Sequence, residues 1–272
     1  MQINNGNSFL VKGIVHCHTD HSYDGRISLK DLCKLLKKEG FHFVAVTEHT
    51  DGLSRDDYVQ FVEDCRRESD DNFVAIPGIE VRCRDKREIA GIGVTDLIEH
   101  GTPEDTIDRI RKLGGYTVWL HPLKHGKFNR QLLDCDAVEV LNGKTDETVA
   151  PNLSLLRAVR KMRKKGEIVC SIFGADLHGF EDSRGAWIEC MVPNLSSDAI
   201  IECLKSGEFS NHVMNGVVAG TGDIKISNYL RFICLRFAFI WWNRFLKIAP
   251  DVYRIPIIRL TRPLIGLIKR AK

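Results

Sequence analysis

The run Ile14-Val15-His16-Cys17-His18-Thr19-Asp20-His21-Ser22-Tyr23-Asp24-Gly25 constrains this chain more than any other segment. Three imidazoles and two carboxylates fall within nine residues, directly after an apolar stretch, Phe9 to Val15, that reads as a buried strand. Residues i and i+2 of a strand face the same way. His16 and His18 therefore aim at one spot while Cys17 turns into the packing. Two neutral imidazoles converging at a strand end supply half of a metal site. An isolated pair of this kind is equally compatible with two histidines that merely alternate, so the rest of the chain decides.

Four later segments repeat the pattern of a short β-branched or aromatic run that stops at His, Asp or Glu. The run from Phe41 to Thr47 ends in Glu48-His49, and that from Phe73 to Ile79 ends in Glu80. The run from Tyr116 to Leu120 ends in His121-Pro122, and that from Ile168 to Ala175 ends in Asp176-Leu177-His178. Helical stretches lie between them. Ser28 to Glu39 carries an apolar stripe and stops at Gly40. Pro103 to Leu113 has Thr102 as a cap and Gly114-Gly115 as a stop, and Asn152 to Lys165 is followed by Gly166. Alternating strand and helix predict a largely parallel sheet with right-handed crossovers. In a barrel of that kind, catalytic groups come from the carboxyl ends of the strands.

Five pieces in this order resemble the polymerase and histidinol phosphatase (PHP) superfamily of metal-dependent phosphoesterases: HCHTDHSYDG, VTEHT, Gly78-Ile79-Glu80, Leu120-His121-Pro122 and GADLHG at 174–179. The resemblance covers roughly residues 11–190, and Ala137 to Gly143 also looks like the penultimate strand of the compact members. It implies an α/β fold, a distorted (β/α)7 TIM-like barrel over residues 1–225, with two or three divalent metal ions in the barrel mouth. By motif position, His16 and His18 hold one metal and Asp176 joins them. Glu80 bridges to a second metal served by His121, and His49, His178 and Asp24 surround a third. Glu48 stands where the family usually has Asp, as a ligand or a support. The strand after Glu80 puts Ala90 where the resemblance implies a further histidine. That departure opens a weaker second site, a two-metal site, reduced activity, or substitution by His125.

Mixed imidazole and carboxylate donors suit Zn, Mn or Fe. Such a metal lowers the pKa of bound water towards about 7, so His16, His18, Glu80 and Asp176 are expected to act catalytically through metal-bound water. There is no GxSxG elbow and no GxxxxGK[ST] phosphate loop. Arg184 and Arg82 are the candidates for contacting the substrate phosphate. His42, His100 and His212 read as packing or surface residues, and His21 as open between a site role and none. The expected activity is hydrolysis of a phosphate ester in a nucleotide, a small phosphomonoester, a phosphoprotein or a nucleic-acid end; nucleic acid enters only as substrate. The alternatives are an amidohydrolase-type metal hydrolase and a non-catalytic metal-binding scaffold or regulator at the membrane.

The nine cysteines are odd in number and scattered, with no CxxC. They read as small buried hydrophobes in a reducing compartment. Charge is distributed unevenly. Residues 231–272 hold ten lysines and arginines against the single acid Asp251, a net +9, so residues 1–230 carry −6 of the chain's +3. The same segment is apolar, with Phe232, Phe237, Phe239, Trp241 and Trp242, and Pro250, Pro256 and Pro263 divide it. Residues 226–272 therefore read as a basic amphipathic helical tail. Three roles are open to it: an anionic membrane surface, packing or oligomerisation, and nucleic-acid binding. The membrane role implies a cytoplasmic protein held peripherally at the inner face.

Overall fold

The computed structural model describes residues 3–4, 8–124, 134–146 and 148–248. The elements run β1 (Ile3–Asn4), β2 (Ser8–Cys17), α1 (Leu29–Lys38), β3 (Phe43–Val46), β4 (Glu48–His49), α2 (Arg55–Glu68), β5 (Val74–Ile76), β6 (Gly78–Arg82) and β7 (Glu88–Ile92). They continue with α3 (Pro103–Lys112), β8 (Tyr116–Leu120), β9 (Ala137–Asn142), α4 (Leu153–Arg163), β10 (Cys170–Gly174), β11 (Ala186–Val192), α5 (Ser197–Ser206), β12 (Phe209–Val213), β13 (Gly216–Ala219) and α6 (Ile226–Ile248).

Local chemistry places the helix starts. The side chains of Ser28, Thr102 and Asn152 accept from backbone N–H groups of the first turns of α1, α3 and α4, which satisfies donors that have no intrahelical partner. α2 begins with a full capping box between Ser54 and Asp57. The helices bury leucine, isoleucine and phenylalanine stripes against the sheets.

Among the described residues the strands form two sheets rather than one. One runs β13-β12-β11-β2-β3-β5 with β1 beside β2, and the other runs β10-β9-β8-β7-β6-β4. The expected α/β class is met as a mixed α/β fold with two sheets, and the distorted (β/α)7 barrel is not confirmed. β6, β7 and β8 pair antiparallel: a short turn at Lys86, φ 71°, joins β6 to β7, and β7 reaches β8 through α3. β11, β12 and β13 are also antiparallel, with α5 between the first two and a tight hairpin at 214–215 between the last two. The run from Phe73 to Ile79, expected as one strand, is split at Pro77. Proline has no N–H for a ladder, and β5 stays with β3 while β6 crosses to the other sheet. Glu80 consequently lies within β6 rather than at a strand end.

The two sheets meet where the site forms. Ala175 N–H donates to Val15 O at 2.9 Å, His18 N–H to Leu177 O at 2.7 Å, and Thr47 N–H to Cys17 O at 2.8 Å. These bonds bring the carboxyl ends of β2, β3 and β10 to one place. α6 is a single continuous helix at its described length. No helix among the described residues is long and apolar enough to cross a membrane. Pro250, Pro256 and Pro263 lie outside the described residues, as does His125.

Candidate metal centre

β2 bends as it delivers its histidines. The register with β3 shifts between Val15 and Cys17, and His16 takes the left-handed conformation at φ 63°. His121 and Asp176 do the same at φ 42° and 50°. A left-handed non-glycine residue costs of order 1 kcal/mol or more and persists only where its surroundings impose it. That three such residues converge on one cluster marks the place as functional rather than as packing.

The cluster centres on the Glu80 carboxylate, which is almost wholly buried. Its Oε2 lies 3.1 Å from His16 Nε2, 3.2 Å from His18 Nε2 and 3.9 Å from His49 Nδ1. Its Oε1 lies 3.9 Å from His121 Nδ1. Asp176 Oδ1 is 3.6 Å from His16 Nε2 and Oδ2 is 3.4 Å from His121 Nε2. On the outer side Asp24 reaches His178 Nε2 at 3.2 Å and His49 Nε2 at 3.5 Å. The rings of His18, His49 and His178 stack, with His18 4.3 Å from each neighbour. Donor atoms gather in four overlapping groups: His16, His18 and Glu80; His16, His121 and Asp176; Glu80, Glu88 and His121; and His18, His49 and His178.

Electrostatics agree with a site built for cations. Burial disfavours the ionised form of Glu80, yet His16 and His18 hold its carboxyl well below the usual range. Burial likewise opposes ionisation of Asp176, and His16 and His121 outweigh it and pull its pKa down. Burial lowers His18 to about 4. It opposes protonation of His121 too, but Asp176 and Glu88 raise that group to about 10. His16 is raised by Glu139 and Asp176 against its own burial. Unpaired buried polar atoms are rare in folded proteins. Here His18 Nε2, Glu80 Oε1, His121 Nε2 and Asp24 Oδ1 are all buried without a hydrogen-bond partner, and all belong to this cluster. Imidazole nitrogens and carboxylate oxygens left bare at one point are the donor set of a divalent transition metal, so the residues present fit such an ion.

A family model described as the PHP domain matches residues 15–174. The chain belongs to the PHP family. An uncharacterized protein of Methanocaldococcus jannaschii is 26% identical to this PHP protein over 172 residues, 57% of this chain and 95% of that one. Among solved structures, a two-domain protein from Bacteroides vulgatus, described as containing a predicted PHP-like metal-dependent phosphoesterase, superimposes with a TM-score of 0.61 at 15% identity over 84% of this chain and 71% of that one. PsfC from Pseudomonas syringae gives a TM-score of 0.55 at 14% identity over 84% and 97%. A lesion-specific endonuclease from Pyrococcus furiosus gives 0.51 at 11% identity, over 78% of this chain and 59% of that one. At these identities the structural likeness is one of fold.

Two residues of the PHP site were missed by sequence reasoning. Ala90 was read as a vacant histidine position, but Ala90 packs in the core, paired with Glu80 and Val118. Two residues earlier on the same face of β7, Glu88 puts Oε2 2.8 Å from His121 Nδ1 and joins Glu80 and His121 in a donor group. Period-2 alternation on β7 would have nominated it. The other is Glu139, in the middle of β9 and buried. Its Oε1 lies 2.7 Å from His16 Nδ1 and its Oε2 accepts the His121 backbone N–H at 2.9 Å. A single acid inside the apolar run Ala137-Val138-Glu139-Val140-Leu141 was the available signal.

The remaining candidates fall elsewhere. Glu48 is in none of the four donor groups. It accepts from Thr19 N–H at 3.0 Å and from the hydroxyls of Thr19 and Ser22, so it ties down the histidine loop. Gly25 closes that loop against Thr19, where a Cβ would lie 1.8 Å from the Thr19 carbonyl oxygen. Arg184 donates to Glu39 Oε2 at 2.8 Å and to the carbonyls of Phe180 and Asp182. Arg82 is exposed at the end of β6, on the Glu80 face and in register with Glu88. His21 turns to Asp64 at 3.4 Å, His100 to Asp51 at 2.8 Å and His212 to Glu189 at 3.3 Å, while His42 accepts Lys12 N–H at 3.0 Å. Lys144, not singled out from sequence, brings Nζ to 3.4 Å from His178 Nδ1.

Proposed function

We propose that this PHP protein hydrolyses a phosphate ester at a centre of two or three divalent metal ions. The observation that carries the reading is the set of buried nitrogen and oxygen atoms without partners around Glu80. His16, His18, Glu80 and Asp176 would hold one ion, Glu80, Glu88 and His121 a second, and His49, His178 and Asp24 with His18 a third. Divalent ions bound there supply an activated water at neutral pH and neutralise phosphoryl oxygens as charge shifts to the leaving group.

The chain's own residues arrange the rest. Glu139 keeps the His16 proton at Nδ1 and so leaves Nε2 as the donor atom, the usual task of a carboxylate behind a ligating histidine. Asn142 donates to Asp176 Oδ2 at 3.1 Å and to Glu139 Oε2 at 3.2 Å, which fixes both carboxylates in rotation. Arg82 and Lys144 stand at the rim as phosphate contacts. Arg184 serves by positioning the 179–185 loop, whose Asp182 accepts His178 N–H at 2.7 Å. The scaffold alternative drew on a missing ligand at Ala90, and Glu88 is our candidate for that ligand.

Phosphate release from mononucleotides, sugar phosphates, a phosphotyrosine peptide and short oligonucleotides tests the reading, with Mn- or Zn-loaded protein and an Asp176→Ala, His178→Ala control. Release that vanishes in the control identifies the substrate class. No release from any ester, or turnover of amides instead, overturns the proposal.

A further inference from the structure

α6 has two faces of opposite character. One is seated on the body of the protein. Phe232 is fully buried, and Leu235 packs against the cluster that contains Val140, Leu156 and Val218. Arg231 donates to Asn215 O at 3.1 Å, Tyr229 OH accepts from Arg157 at 2.9 Å, and Arg236 bonds Asp146 and Ala150 O. Arg236 thus points to the body of the protein rather than away from it.

The other face is apolar and bare. Ile226, Leu230, Ile233, Phe237, Ile240 and Trp241 follow one another at helical spacing of i, i+4, i+7, i+11, i+14 and i+15, which sets them on one stripe. Phe237 is 69% exposed and Trp241 63%, and Trp242 and Phe245 flank the stripe. Exposed Arg244 follows at its C-terminal end. A contiguous exposed stripe of large side chains marks a binding face, unlike scattered single exposures.

We propose that this face of α6 docks the protein on an anionic lipid bilayer, with the helix lying in the interface. Charge selects this occupant. Residues 226–248 contain no acid; of their four cations Arg231 and Arg236 bond the body of the protein while Arg244 is exposed, and residues 249–272 continue with six cations against Asp251. A second copy would bring this positive surface against itself, which is unfavourable. Anionic headgroups above acyl chains satisfy both the cations and the apolar stripe. The paired tryptophans suit the headgroup layer. With no helix among the described residues able to span a bilayer, the mode is surface attachment. The attached helix is also close to the metal centre. Asp146, held by Arg236, accepts Asn142 N–H at 3.1 Å, and Asn142 in turn bonds Asp176. Docking does not depend on which ester the centre hydrolyses.

The test is flotation of the full chain with vesicles of phosphatidylcholine alone and with about one third phosphatidylglycerol, in low and high salt. The wild type should float with the anionic vesicles at low salt, roughly tenfold less with the neutral ones, and shift tryptophan emission to the blue. Phe237→Ser, Trp241→Ser should remove flotation while circular dichroism and thermal unfolding stay unchanged, since neither side chain is on the seated face. Equal flotation of the variant, or none of the wild type, overturns the proposal. So does a concentration-dependent dimer that the variant abolishes, which would give the face to a second copy.

Discussion

Glu139 Oε1 sits 2.7 Å from His16 Nδ1, and the other oxygen of the same carboxylate accepts the backbone N–H of His121 at 2.9 Å. One buried acid thus sets the ring of one candidate ligand and the main chain of another, both in left-handed conformations. Glu139→Gln keeps the shape but loses the charge that holds the His16 proton. The expected result is a loss of roughly ten- to hundredfold in metal affinity or turnover. Metal content by mass spectrometry, measured beside phosphate release, checks it; unchanged content and rate would make Glu139 mere packing.

Gly174 leaves room for that acid. A Cβ built there falls 1.9 Å from Glu139 Oε1 and 3.0 Å from His16 Nδ1. Gly174→Ala should cost about 1–3 kcal/mol through overpacking and should lower metal content along with it. Urea unfolding of the variant measures the first and elemental analysis the second.

Glu88 is shared between the centre and Lys124, whose Nζ lies 2.9 and 2.8 Å from its two oxygens. Burial opposes ionisation of Glu88, but His121 and Lys124 hold its pKa below the ordinary value. The ammonium competes with a metal for the same oxygens. Lys124→Ala should therefore tighten Mn binding severalfold, and Glu88→Gln should weaken it by about tenfold. Calorimetric titration of chelator-treated protein reads both, and Glu88→His should restore affinity with a shift towards Zn.

Burial raises Glu48 from 4.5 to about 7. The folded state then binds this proton more tightly than the unfolded chain, so the contribution is fully present below pH 4.5 and is lost as pH rises through about 7. Metal-free wild type should lose stability across that window relative to Glu48→Gln, by about 3 kcal/mol in all. Urea melts at both ends of the window decide; parallel pH profiles for the two proteins would mean that Glu48 titrates normally.

Arg236 ties α6 to Asp146, a carboxylate with a 13% exposed side chain. Burial raises the Asp146 pKa and Arg236 partly offsets it. Arg236→Ala leaves that acid buried and unpaired, at a cost of about 3 kcal/mol. The double variant with Asp146→Asn should recover most of the loss, a coupling that equilibrium unfolding of the four proteins measures.

Most of the donor set was legible in the chain itself. Histidine and acid residues at strand ends are a local pattern, and seven of the nine residues nominated as ligands from sequence sit in the four donor groups. Asp24 adds its contacts with His49 and His178, and only Glu48 faces other partners. The helices were legible where caps and glycine stops bracket an apolar stripe. α2 was not assigned, although Ser54 and Asp57 mark its start and Tyr58, Phe61, Val62 and Cys65 form its buried stripe; no glycine stop closes it.

What the sequence alone supplied was most of the candidate ligands and their order, because side-chain periodicity and donor chemistry are properties of a few neighbouring residues. Pairing decided the remainder. Whether β7 runs antiparallel to β6, and hence whether Glu88 or Ala90 meets His121, depends on a register between strands distant along the chain. The role of Glu139 depends on the approach of β9 to β2 and β8, and the inward turn of Arg236 on an acid ninety residues away. These are long-range contacts: alternation along β7 can nominate Glu88, but only the strand pairing brings it to His121.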